Sequence, residues 1–208
     1  MQKIKFLFTA IFFAALGLGF VSCENDNELV SKYNGYNYVD LGLSVKWATC
    51  NVGADSPEEY GDYFAWGETK PKLSYSEENY TYKKNPETLS FIRDVASVKM
   101  GRNWRMPTIE EHQELIDECT WTWTTLNGVN GYNIEGPNGN SIFLPAAGYR
   151  NGSDLDCAGL YGDYWSSSLH TGNSYASQPY YLCFSSGYVS WYVSGRYYGK
   201  SVRGVFTK

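Results

Sequence analysis

The side chains able to do chemistry in this chain are few. Five cysteines, two histidines and a run of three serines supply its nucleophiles and bases. His112 and His170 stand far apart, and neither has a second His or Cys at the spacing a zinc site uses. His112 falls on the apolar side of a helical pattern and reads as a core residue. His170 lies in a polar loop, where at best it touches a ligand. Ser166, Ser167 and Ser168 follow Tyr164-Trp165 and lack the Gly-x-Ser-x-Gly frame of a nucleophile elbow, so they read as a buried hydrogen-bonding turn. Asp154, Asp156 and Asp163 offer oxygens to Ca²⁺, but at a spacing that fits no calcium loop, and read as solvated loop acids. On this reading the chain is not an enzyme. No catalytic residue, metal ligand or cofactor is assigned.

Binding chemistry is far better represented. The stretch from Tyr149 to Lys208 holds ten Tyr and eleven Ser in 60 residues and no Glu or Met, which sets it apart from the rest of the chain. Tyr supplies a large, rigid, amphipathic surface with little entropy to lose, and Ser and Gly supply adaptable hydrogen bonds. Strand alternation divides this stretch into faces. In Tyr188–Ser194, Val189, Trp191 and Val193 share one face, expected to point inward. Tyr188, Ser190, Tyr192 and Ser194 share the other. In Tyr181–Ser185, Leu182 and Phe184 form the apolar pair, and Tyr181, Cys183 and Ser185 face away. With Ser186-Gly187 as a hairpin turn, the outward residues merge into one ligand-binding patch.

The elements that position this patch follow from periodicity. Thr108 as N-cap, Glu111 completing a capping box, and Ile109, His112, Leu115, Ile116 and Cys119 at helical spacing predict one prominent helix. Val39, Leu41 and Leu43 alternate as a half-buried strand, and Val45, Trp47 and Ala48 suggest a second. Tyr63–Gly67 is an aromatic core segment, and the polar run from Glu68 to Glu87 reads as a surface excursion. Asn-Gly pairs at 127–128, 130–131, 138–139 and 151–152 mark turns. Tyr132–Glu135 and Ser141–Leu144 make a hairpin, and Tyr180–Phe184, Tyr188–Val193 and Ser201–Phe206 are closing strands. One helix among several short antiparallel strands predicts an α+β domain. Arg203, between apolar neighbours, is expected to pair with a buried acid, Asp40 or Glu68.

The N-terminus sets the compartment. Lys3 and Lys5 precede an uncharged apolar run, Phe6–Phe20, shorter than the roughly 20 residues that span a bilayer. The run ends in Val21-Ser22-Cys23, which resembles a bacterial lipobox. Residues 1–22 are therefore expected to be a lipoprotein signal peptide and Cys23 the lipid anchor, holding the protein at the envelope, at the outer membrane and facing out. Residues 23–35 read as a flexible acidic tether and 36–208 as the folded domain. The net charge is −5, and the signal carries only Lys3 and Lys5, so the remainder is more acidic still. That excludes the phosphate-neutralising chemistry of nucleic-acid binding. An oxidising compartment permits disulfides, and Cys50, Cys119, Cys157 and Cys183 allow three connectivities. The aromatic-rich settings of Cys50 and Cys119 favour that pair.

Four segments carry a resemblance. They are Trp104-Arg105-Met106-Pro107-Thr108 with the helix after it, Gly148-Tyr149-Arg150, Gly162–Ser168, and Ser201–Val205. In this order they resemble the Fibrobacter succinogenes major paralogous domain family, over about residues 36–208. The resemblance implies a C-type-lectin-like domain of the formylglycine-generating-enzyme branch. The C-terminal layout also resembles the variable proteins of diversity-generating retroelements, in which the ligand-contacting positions are those reachable by adenine mutation. That implies a diversified surface. It adds Asp156, Leu160, Asp163 and His170, with Cys157 and Asn173, to the outward residues named above, and leaves Trp165, Trp191 and Lys200 constant.

The expectation is a surface lipoprotein whose C-terminal patch binds a protein or glycan. Two alternatives stand beside it: a thiol- or metal-dependent enzyme of the formylglycine-generating type, worked by Cys157 and Cys183, and a structural or fimbrial accessory protein of the envelope.

Overall fold

A computed structural model describes residues 30–172 and 177–207. The expected signal peptide, Cys23 and Asn173 lie outside the described residues. Fourteen strands and two helices follow in chain order among the described residues: β1 (Val30–Tyr33), β2 (Tyr36–Val39), β3 (Lys46–Asn51), α1 (Val95–Met100), β4 (Trp104–Arg105), α2 (Ile109–Glu118), β5 (Thr120–Leu126), β6 (Val129–Glu135), β7 (Ser141–Pro145), β8 (Tyr149–Asn151), β9 (Asp154–Asp156), β10 (Gly162–Leu169), β11 (Pro179–Ser185), β12 (Tyr188–Val193), β13 (Gly199–Lys200) and β14 (Arg203–Phe206). They form four small sheets, ordered β1-β2-β3-β14-β4, β5-β6-β7, β13-β8-β9 and β10-β11-β12.

This corrects the expected fold class. The described chain is mostly β, with 43% of the described residues in strands and bridges and 9% in helices, so it is not an α+β, C-type-lectin-like domain built around one prominent helix. The helix itself is where its pattern places it. Thr108 Oγ1 accepts from Glu111 N, and the Glu111 carboxylate accepts from Thr108 N, the reciprocal capping that fixes the start of α2. One ten-residue helix cannot form a layer, however, and the rest of the chain follows its period-2 patterning and its turns. Asn127 and Gly128 both take positive φ, as a two-residue hairpin turn with the right twist requires, and they join β5 to β6.

Two other boundaries shift. The described fold begins at Val30, inside the expected tether, because β1 pairs with β2 in a hairpin from Val30↔Val39 to Tyr33↔Tyr36. The excursion at 68–87 has almost no regular structure, yet it is not merely superficial. Tyr75, Tyr80 and Tyr82 are buried, and the hydroxyls of Tyr75 and Tyr80 donate to Tyr63 O and Trp66 O. Polar sequence around spaced aromatics gives a loop riveted to the core by its rings.

The core is in two parts, and β10 stands between them. One cluster gathers Trp66, Trp104, Trp165, Met100 and Phe206. The other gathers Trp47, Leu115, Ile134, Leu144, Tyr164, Leu182 and Phe184. Neighbouring residues of β10, Tyr164 and Trp165, serve different clusters because successive strand side chains point to opposite faces. Hydrogen bonds lock this strand in place. Trp165 Nε1 donates to Phe64 O (2.8 Å), Trp66 Nε1 to Ser166 O (2.9 Å) and Ser167 Oγ to Pro107 O (3.2 Å). Ser166–Ser168 are thus strand residues with buried hydroxyls, not a turn.

Among the described residues Arg203 has no acid partner. Asp40 pairs with Lys46 and Glu68 with Lys72. The guanidinium instead donates to Asn51 Oδ1 (2.9 Å), Ala48 O (3.0 Å), Thr49 O (2.7 Å) and Phe143 O (2.9 Å). Its planar fork is satisfied by backbone carbonyls of β3 and β7, which ties β14 to both. The anticipated Cys50–Cys119 bridge is absent, since all four described cysteines are free thiols. Cys119 caps α2 against the Trp47 cluster, whereas Cys50 lines a small depression with Tyr36 and Met100.

Candidate functional site

The candidate surface is one face of sheet β10-β11-β12. Antiparallel pairing sets its rows: Trp165–Tyr181–Tyr192, Asp163–Cys183–Ser190, and Ser185–Tyr188. Tyr181, Cys183, Ser185, Tyr188, Ser190 and Tyr192 are residues that alternation assigns to the outward side, and the structure brings them together with Asp163 and Trp165. The opposite face carries Tyr164, Leu182 and Phe184, all fully buried. Gly162 belongs there for a steric reason: a Cβ on it would come within 2.0 Å of the Phe184 ring.

Facing outward is not the same as meeting water. Tyr188 and Tyr192 are 39% and 47% exposed. Ser185, Ser190 and Ser194 are half-buried. Asp163 and Cys183, expected at the surface, are buried, and Tyr181 is half-buried. The cause is Lys200. β13 pairs with β8 through Lys200↔Tyr149, and Lys200 exchanges backbone hydrogen bonds with Phe64. This lays the lysine across the lower rows of the sheet. Its Nζ donates to Asp163 Oδ2 at 2.5 Å. It lies 3.9 Å from the Tyr181 ring centroid, 4.9 Å from Tyr149, 5.3 Å from Trp165 and 5.8 Å from Tyr198. A desolvated ammonium among aromatic rings and one carboxylate is held by cation–π attraction as well as by its ion pair. Burial pushes the Lys200 ammonium below its ordinary value, and the Asp163 carboxylate works the other way.

The cage relays order to the rings above it. Tyr181 lies 6.2 Å from Tyr192, Tyr149 5.8 Å from Tyr198, and Tyr198 4.4 Å from Tyr197. Tyr188 sits 6.2 Å from Tyr161, with its hydroxyl 3.4 Å from Cys183 Sγ. Burial beside Asp163 pushes the Cys183 thiol up to about 12, so it stays protonated and a poor nucleophile. Cys157 is exposed at positive φ in the loop after β9, and Leu160 in the same loop is 63% exposed. Asp156 is half-buried opposite Tyr149. These loop residues border the Tyr161–Tyr188 side of the face.

Trp191 departs from expectation. It shares the inward direction of Leu182, its cross-strand partner, yet it is 39% exposed. β12 is the edge strand of its sheet, and the core stops short of it. The indole NH donates to Gln113 Oε1 on α2 (2.7 Å), and the ring meets Tyr180 edge-on at 5.3 Å. Trp191 therefore lines an open depression of about 350 Å³ with His170, Gln178, Tyr192 and Val193. Gln178 is shared with a larger one of about 590 Å³, bounded by Tyr197, Tyr198, Arg196, Glu77, Lys83 and Asn85. His170 packs its ring against Tyr180 and so takes part in the first depression.

The second depression was not foreseen, since part of its wall, Glu77, Tyr80, Lys83 and Asn85, comes from the 68–87 excursion. Arg196 joins the two sides. Its guanidinium donates to Ser177 O, Lys84 O and Asn85 Oδ1 and lies 5.2 Å from the Trp66 ring. The usable signal was the pair Tyr197-Tyr198 beside Arg196 and Lys200, a cluster of rings and cations. Aromatic walls with Gln, Asn, Glu and Lys at the rim can stack on flat or sugar-like groups and hydrogen-bond their edges.

Elsewhere, His112 is fully buried and stacks on Trp47 at 6.0 Å. Its Nδ1 has no hydrogen-bond partner among the described residues, and burial lowers its pKa to about 3. It is a neutral core ring. Among the described residues no group of three His, Cys, Asp or Glu is placed to hold a metal ion. Comparison with family models, with curated proteins and with solved structures yields no match to this chain.

Proposed function

We propose that this protein is a lipid-anchored cell-surface binder that takes a protein or glycan ligand on its Tyr/Ser-rich C-terminal face, without catalysis. One observation carries the reading. Tyr188 and Tyr192 are exposed rings on the outward side of the β11–β12 hairpin, and Tyr192, with Trp191 from the other side of the edge strand, lines a depression that shares Gln178 with a second, larger one. Exposed aromatics on a pre-organised scaffold provide contact area at little entropic cost. The segments resembling the paralogous domain family support the same division, since Trp104, Trp165 and Arg203 are all buried and none is exposed for contact. The protonated state of Cys183 weighs against the thiol-enzyme alternative. Diversification of the face is part of the proposal, and a neighbouring reverse transcriptase with an imperfect repeat of the final coding segment is its genomic signature.

The test uses the chain from residue 23 with Cys23→Ser, probed against arrays of glycans and of secreted proteins. The wild-type face retains a ligand, and Tyr188→Ala with Tyr192→Ala weakens that binding at least tenfold while the melting temperature hardly moves. Retention equal to wild type in the double variant would place the binding elsewhere. No ligand on either array would remove the support for a binder.

A further inference from the structure

A second surface has a different chemistry. Phe91, Ile92 and Val98 are 56%, 60% and 49% exposed. The Arg102 guanidinium lies 5.0 Å from the Phe91 ring, and Lys99 is exposed on α1 beside Val98. From Thr88 to Asn103 the only acid is Asp94, which is buried as the N-cap of α1. The surface is therefore apolar and cationic on a chain whose net charge is −5. The β1–β2 hairpin is pinned to its edge. Asn34 Nδ2 donates to Met100 O (2.7 Å), and the Tyr36 hydroxyl donates to Lys99 O (3.1 Å). Val30, Tyr33 and Tyr36, each 37–40% exposed, extend the apolar area towards the point where the described chain begins.

We infer that this face, centred on Phe91, Ile92, Val98, Lys99 and Arg102, rests on an anionic phospholipid bilayer. The inference relies on the proposed lipid anchor at Cys23. Seven residue steps separate Cys23 from Val30, and whatever their conformation they reach at most about 25 Å. A domain of this size is roughly 40 Å across. The hairpin and the patch pinned to it are consequently the part of the surface that such a tether holds near the membrane. Lys99 and Arg102 suit anionic headgroups, each contributing about 1 kcal/mol near the surface, and the apolar side chains suit the boundary beneath. Glu24, Asp26 and Glu28 of the tether oppose part of this attraction, so the apolar side chains carry the remainder.

Two measurements test this. The first uses residues 23–208 with Cys23→Ser, sedimented with vesicles of phosphatidylglycerol and phosphatidylethanolamine or of phosphatidylcholine alone. Binding is expected to prefer the anionic vesicles and to fall about fivefold with each of Lys99→Gln and Arg102→Gln. It is expected to be lost in the triple variant Phe91→Ser, Ile92→Ser, Val98→Ser, whose circular dichroism should match wild type. The second uses the lipidated chain in the anionic vesicles and follows amide exchange. Residues 91–102 and 30–38 are expected to slow relative to the unlipidated chain in solution. Equal vesicle binding by wild type and the triple variant, or no slowing of 91–102 in chains whose mass shows the acyl group, would overturn the inference. Absence of acyl mass at Cys23 would instead remove the anchor, and vesicle binding by the unlipidated chain would then decide the face alone.

Discussion

The two faces of sheet β10-β11-β12 are made from alternate residues of the same strands, yet they are held by different forces. On one face, Tyr164, Leu182 and Phe184 lie at 0% exposure against Trp121, Trp123, Tyr132 and Leu115. The Phe184 ring meets Tyr132 edge-on at 5.4 Å and stacks on Tyr164 at 5.9 Å. On the other face the lower rows are organised by one buried ammonium, and the upper rings are left partly in water. Apolar burial gives the first face its stability. The second face spends a buried charge to hold its rings in fixed positions. Rigidity and exposure are thus obtained together by anchoring the roots of an aromatic patch and leaving its tips free.

Substitutions can break this contrast, and their effects should grade by face. Phe184→Ala removes a ring from a closed core, and chemical denaturation is expected to show a loss of about 3–5 kcal/mol. Lys200→Met leaves Asp163 buried without its partner, and a comparable loss, about 3–5 kcal/mol, is expected. Adding Asp163→Leu should restore part of it, which a simple packing loss would not permit. His112 gives a pH-dependent effect. Its folded pKa, about 3, lies below the ordinary 6.5, so the stability it supports is present above about pH 6.5 and is lost as pH falls towards 3. Asp94 acts in the opposite sense, since burial raises it to about 6 and the fold gains stability as pH falls from 6 towards 4. Denaturation at pH 7 and pH 4 should show His112→Phe losing less stability on acidification than wild type, by up to about 3 kcal/mol.

The smaller effects sharpen the comparison at its edge. Trp191→Ala is expected to cost only about 1–2 kcal/mol, because much of the indole is already in water. Tyr188→Ala and Tyr192→Ala should each lie near 0.5 kcal/mol or below in thermal melts, as surface substitutions do. A loss from Trp191→Ala as large as that from Phe184→Ala would mean that the edge strand is closed over by the core, erasing the distinction between the faces.

Legibility in the sequence followed the range of the forces involved. The α2 helix with its capping box, the Asn127-Gly128 hairpin and the alternation of Leu182 and Phe184 against Tyr181 and Cys183 depend on neighbours a few residues away, and each is where its pattern puts it. Whether an outward residue is covered depends on what arrives from afar. Lys200 shields Asp163, Cys183 and Tyr181 from a position tens of residues distant. The 68–87 excursion likewise lends Glu77, Lys83 and Asn85 to a depression that local pattern cannot reveal. Trp191 was misplaced because hydrophobicity assigns a direction and says nothing of how far the core extends beneath an edge strand. The α1 helix, six residues long, is too short for a periodic signal.

One feature of the five-stranded sheet bears on how the chain acquires its shape. β14 runs between β3 and β4, so the middle of that sheet is filled by residues 203–206, while the strand beside it was made some 150 residues earlier. Until β14 arrives, β3 has a vacant flank and the carbonyls that Arg203 satisfies have no donor from it. Assembly therefore cannot finish during synthesis of the earlier segments. A chain emerging from the ribosome would stay incomplete, with an open β edge needing protection from aggregation, until residue 206 is through.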